Sequence, residues 1–161
     1  MGRIYTVVFQ GTVTAAGTDS DLLEILPASN KPCKLRGFTL GQTSEVGDAA
    51  EENLRISVIR LGSAVTSGSG GSSATPSPLD SADAAAGFAA EVNNTTVATT
   101  SGSTTILGEY AWNERASPCD FWFPDAAFCP KVKNGEALVV RMQTTPADDY
   151  SGAFTFWIEE E

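Results

Sequence analysis

In "SGAFTFWIEE", Phe154, Phe156 and Ile158 fall on one side of an extended chain, with Thr155 and Trp157 on the other. A period of two is the pattern of a β-strand with one buried face, because successive side chains point to opposite faces. The period recurs in "EALVVRMQTT", where Leu138, Val140 and Met142 oppose Val139, Arg141 and Gln143. In "ENLRISVIRL", Leu54, Ile56 and Val58 oppose Arg55 and Ser57, and "RIYTVVFQGTVT" sets Tyr5, Val7 and Phe9 against Ile4, Thr6 and Val8. "DLLEIL", "CKLRGFTL", "TTVATT", "STTILGEYAW" and "DFWF" add further candidates, for about eight strands in total. Apolar faces of this kind are buried by packing one sheet on another. The expected fold is all-β: a jelly-roll-like β-sandwich with at most one short helix. That helix would lie in "PLDSADAAAGF", where Asp80 or Ser81 can cap an alanine run that stops at Gly87.

Between the strand-rich halves lies "TSGSGGSSATPSPLD", residues 66–80, which carries no charge before Asp80. Neither half has enough strands to bury a core alone. The stretch is therefore expected to be a long connection, about 62–93, inside one domain spanning residues 1–161. Connections of that length are functional or disordered more often than not. Residues 62–78 contain little apolar surface, so they are expected to be mobile in the free protein.

Charge narrows the partners. Twenty acids against ten bases give a net charge of −10, and no basic residue separates Arg60 from Arg115. Such a chain lacks the basic surface that nucleic acid or an anionic membrane demands. The absence of histidine removes Ser-His-Asp and Cys-His nucleophile activation and every His-ligated metal site. The glycines of "SGSGGSS" lack the Lys and the strand–helix frame of a phosphate loop. No cofactor is expected. Carboxylates remain for a small acid-pair hydrolase: Asp48, Glu51, Glu52, Asp80, Asp83, Asp120 and Asp125. Glu45, Asp48, Glu51 and Glu52, or Asp80 and Asp83, offer oxygen ligands of the kind Ca²⁺ takes, but without EF-hand spacing. Solvated acidic turns are the expectation there. Cys33, Cys119 and Cys129 are an odd set, expected to be free thiols of a protein made in a reducing cytoplasm. "MGRIYT" fits the myristoylation pattern, and Asn93 and Asn94 open glycosylation sequons, but no secretory leader pattern precedes them.

Binding rather than catalysis is thus the expectation, and aromatic residues are its best carriers. The candidate interface set is Trp112, Arg115, Trp122 and Trp157, with Pro76 and Pro78 in the long connection, where their fixed φ limits the cost of ordering an arm.

The strings "GDAAEENLRISVIR", "TSGSGGSSATPSPLD", "DAAAGF", "EVNNTT" and "EYAWNERA", and the flanking "RIYTV" and "FTFWIEEE", give the chain a likeness along nearly its whole length. It resembles small structural proteins of tailed phages and prophages, in role capsid decoration (cement) proteins. The resemblance implies a β-sandwich, commonly a homotrimer, made in the host cytoplasm and bound to the major capsid protein on the capsid exterior of the virion. It transfers no functional residue. A head fibre or other accessory virion protein, or a carbohydrate-binding module using exposed Trp, is the alternative.

Overall fold

The computed structural model describes residues 2–15, 17–43, 52–116 and 118–161. The strands are β1 (Arg3–Val13), β2 (Ser20–Leu26), β3 (Cys33–Gln42), β4 (Asn53–Leu61), β5 (Val65–Thr66), β6 (Ser72–Ala74), β7 (Ser77–Pro78), β8 (Ala89–Asn94), β9 (Thr99–Thr100), β10 (Thr104–Asn113), β11 (Cys119–Trp122), β12 (Lys131–Val132), β13 (Ala137–Met142) and β14 (Tyr150–Glu160). One sheet runs β11-β3-β14-β1-β7, with β12 also on β3; the second runs β10-β4-β13-β2-β8-β6; β5 and β9 form a separate ribbon. Every pairing is antiparallel. From β1 to β4 the chain changes sheet at each step, so sequence neighbours face each other across the core instead of pairing. This is the expected sandwich with jelly-roll-like crossings.

The period-two faces meet as the sequence implies. Tyr5, Val7, Phe38, Phe154, Phe156 and Ile158 from the first sheet pack on Leu23, Ile25, Leu54, Ile56, Val58, Leu138, Val140 and Met142 from the second. Burying a side chain of this size contributes about 1.5–3 kcal/mol. Polar partners line the opposite faces, because a strand cannot turn two neighbours the same way without a bulge. One such bulge occurs in β3. Leu35 and Phe38 both face the core, and the pairing slips between Trp157 and Ile158 so that Gly37 alone opposes Trp157.

One expectation is met at its lower bound, and one is corrected. No helix forms among the described residues. Asp80 holds a single turn, its Oδ1 accepting from Ala82 N at 2.9 Å and its carbonyl from Asp83 N at 3.0 Å. The alanines that follow are kept out of a helix by tertiary bonds: Tyr5 donates to the Ala84 carbonyl, and Gly87 N donates to Glu160 Oε2. Nor does the stretch after Gly62 hang free. It joins the two main sheets twice, with β6 on β8 and β7 on β1, and β5 pairs with β9 in the separate ribbon.

Candidate functional site

The outward side of the first sheet is built around a missing side chain. In the row across the sheet, Trp122 of β11 opposes Gly37 of β3, which opposes Trp157 of β14, which opposes Thr6 of β1. A Cβ on Gly37 would stand 2.6 Å from the Phe121 carbonyl and 3.0 Å from the Trp122 ring. Without it, Trp122 leans over the backbone of β3 and meets Trp157, ring centroids 4.3 Å apart and planes inclined by 35°. Glycine in a strand interior commonly marks such a close approach. Trp122 remains 50% exposed.

The next row holds Asp120, Thr39, Thr155 and Val8. Asp120 Oδ1 accepts from Trp122 Nε1 at 3.1 Å and from Thr39 Oγ1 at 2.9 Å, which fixes the indole in its plane. Val8 is 57% exposed. Arg36 and Glu159 border the pair, bonded to each other at 3.4 Å. The result is an aromatic surface of two inclined indoles, one held by a hydrogen bond, with one carboxylate beside it. It can stack an apolar side chain or a sugar ring, and Asp120 can accept a hydrogen bond from a sugar hydroxyl or from a backbone N–H beside an apolar side chain.

The remaining candidates fall elsewhere. Trp112 does not face solvent. It is 3% exposed, edge-on to Tyr150 and Phe154 in the main core, because β10 turns it inward against β4 and β14. Arg115 is exposed in the turn after β10, where its N–H donates to Asn113 Oδ1. Pro76 and Pro78 are half-buried, and Pro78 opposes Tyr5 at the edge of the first sheet. Among the described residues no hydrogen bond, ion pair or ring contact joins Arg115, Pro76 or Pro78 to the tryptophan pair. Asp83 is paired with Arg3 at 3.3 Å. Glu45, Asp48 and Glu51 lie outside the described residues. All three cysteines are free thiols. Burial, then the Glu160 charge, pushes the Cys33 thiol up to about 12, so it is a poor nucleophile at neutral pH.

The outward side of the second sheet is the opposite case. Here the excursion from Gly62 to Ser103 lies over Ile59, Leu61, Ala137 and Val139, packing its own Ala98 and Val65 against them. Three charged side chains on the outward side of β2 and β13 are covered with them; Asp21 joins Glu24 there because the pairing with β13 slips at Leu22. Asp21 takes both Arg141 Nε at 2.6 Å and Arg141 Nη2 at 3.1 Å, and also Ala98 N; Arg141 returns a bond to the Ala98 carbonyl. Glu24, 1% exposed, accepts from Ser67 Oγ, Gly68 N and Asn94 Nδ2. Burial raises its carboxyl above the ordinary range, with the Gly68 and Ser67 bonds opposing. Glu24 therefore ties the Gly/Ser stretch to the sheet, and Asp21 ties the later segment at Ala98. The sequence signal for this was two acids inside an otherwise apolar strand, "SDLLEIL".

The chain matches no family model, no curated protein and no solved structure.

Proposed function

We propose that this chain is a non-catalytic virion component, a capsid decoration protein that docks on the phage major capsid protein through the open face of the first sheet. The observation that carries the reading is the Trp122–Trp157 pair: two indoles in tilted contact, one half exposed, on a bulged sheet. Tryptophan is the residue most enriched among binding hot spots, and a rigid platform loses little freedom on docking. The phage setting comes from the sequence resemblance. A protein bridging capsomers adds interface without chemistry, about 1,600 Å² for a standard contact, and a homotrimer would multiply the contacts by avidity. With a net charge of −10, attachment to basic groups on the capsid weakens as salt rises.

A carbohydrate ligand is the second reading. Asp120, held at the edge of the exposed ring, places a fixed acceptor where a stacked sugar presents hydroxyls.

The test is co-sedimentation of the purified chain with phage heads that lack it, alongside Trp122→Ala and Trp157→Ala. Saturable binding that either substitution weakens by about 30-fold or more supports docking through this face. Heads lacking the protein should release DNA at a lower temperature, and adding it back should restore them. Absence from virions, or failure to bind heads, overturns the decoration role. Retention on glycans under the same substitutions would then favour the sugar reading.

A further inference from the structure

Behind the loop 68–73 lies a cavity of about 240 Å³, lined by Gly68, Ser69, Gly70, Gly71, Ser72, Ser73, Glu91 and Asn94. Its chemistry is one-sided. Asn94 is fully buried. Its Nδ2 gives one hydrogen to Glu24 Oε2 at 3.1 Å and the other to Glu91 Oε2 at 2.9 Å. That double donation fixes the amide, since the reverse orientation would set oxygen against two carboxylates. Asn94 Oδ1 is then left without a donor, and it finds no partner among the described residues. It lies under the loop, 2.6 Å from where a Cβ on Gly71 would stand, and Gly71 lines the cavity with it. A buried acceptor without a donor costs about 1–3 kcal/mol, so such groups have partners. Neither Glu24 nor Glu91 has a cationic partner among the described residues, whereas Asp21 next door has Arg141.

We infer that this cavity is a cation site, with Glu91 and Asn94 Oδ1 as its fixed ligands and Glu24 as the buried charge behind them. The ligand class is a hard divalent cation of the size of Ca²⁺. The oxygens on offer are of mixed kind and irregularly placed: carboxylate, amide, serine hydroxyls and loop carbonyls. Ca²⁺ accepts six to eight such oxygens in flexible geometry, while Mg²⁺ demands a near-ideal octahedron and keeps its water. With two carboxylates and the remaining positions filled by neutral oxygens and water, affinity belongs in the range of about 10⁻⁴–10⁻³ M seen for modest-charge sites. The site is independent of the attachment face. Its occupation would pin the loop 68–73 to β8.

The test uses the full chain, stripped with EDTA and melted with CaCl₂, MgCl₂ or NaCl at matched ionic strength, with calorimetric titration of CaCl₂. Ca²⁺ at a hundredfold excess over Kd should raise Tm by roughly 5–10 °C, with MgCl₂ giving less than half of that. Glu91→Gln alters a half-buried side chain, so the fold should survive; it should abolish the Ca²⁺ shift. Asp148→Asn, on an exposed acid, should leave it unchanged. No shift in the unaltered protein would mean that Asn94 Oδ1 is satisfied by water, and would overturn the site. An equal shift in Glu91→Gln would place any bound cation elsewhere and overturn it as well.

Discussion

The two outer faces of the sandwich start from the same strand pattern and end differently. On the first sheet the outward residues are left to solvent, and what gathers there is aromatic: Trp122 on Trp157 over Gly37. On the second sheet the outward residues are roofed by the chain itself, and what gathers there is charged: Asp21, Glu24 and Arg141. The contrast inverts the usual placement, with apolar surface exposed and charge buried. Each inversion has its own support. Buried charges persist because every one is bonded to backbone or an opposite charge. The exposed indoles persist because they cover each other and a strand glycine. An uncovered apolar platform is a surface suited to a partner, whereas the roofed face already has its partner in residues 62–103.

The largest effect should come from breaking the roofed face. Asp21→Ala leaves the Arg141 guanidinium, with a side chain only 11% exposed, unpaired under the excursion. Urea denaturation should show a loss of about 3–5 kcal/mol. Next is the open face, where Trp122→Ala should change folding stability by less than about 1 kcal/mol yet remove about 2 kcal/mol or more of binding to phage heads. A stability loss as large as that of Asp21→Ala would erase the distinction between the faces.

Glycine substitutions sharpen the comparison further. A Cβ on Gly71 would meet the Val92 carbonyl at 2.2 Å, so Gly71→Ala should cost about 1–3 kcal/mol and speed proteolysis within the excursion. Gly37→Ala should displace Trp122 from Trp157, read as a loss of the exciton couplet in circular dichroism, with binding falling in parallel. The smallest effect is a pH slope. Burial holds the Glu24 carboxyl above its ordinary value of 4.5, with the Glu91 and Asp21 charges acting the same way and the Gly68 and Ser67 bonds opposing. Its contribution is full below about pH 4.5 and is lost as pH rises through the folded-state value. In EDTA, Glu24→Gln should therefore gain on the unaltered protein between pH 4.5 and pH 7.5.

Alternation was enough to orient most of this architecture. It set Phe154, Phe156 and Ile158 inward, and it turned Trp157 out. It could not place Asp21 and Glu24 together, because they are three residues apart and share a face only through the slip in pairing at Leu22, and it gave no hint that outward would mean buried. The roof that covers them is made of Gly, Ser and Thr, and it holds by backbone hydrogen bonds and carboxylate acceptors instead of apolar side chains. Hydrophobic periodicity is blind to such a cover. β8 was missed for a related reason, since "AAEVNN" has too little apolar bulk to signal a strand although it pairs on both sides. Trp112 shows the converse limit: "EYAWNERA" names an aromatic residue but not which neighbour strand it will face. The Trp122–Trp157 contact needed the register of three strands that are distant in sequence, which one chain segment cannot encode.

The order of the strands bears on how the protein is made. β14 lies between β3 and β1, and β13 lies between β4 and β2. β13 and β14, made after the strands they join, are thus the centre of each sheet. A nascent chain that ends before Ala137 carries both flanks of both sheets with nothing to join them, four long strands with unsatisfied edges and apolar faces. Stepwise assembly from the N-terminus has no stable stopping point, so folding waits for the whole chain and then proceeds through distant pairings, the slow kind. During synthesis such a chain is a client for chaperones, and a premature stop within the last two strands yields an aggregate rather than a shorter version of the protein.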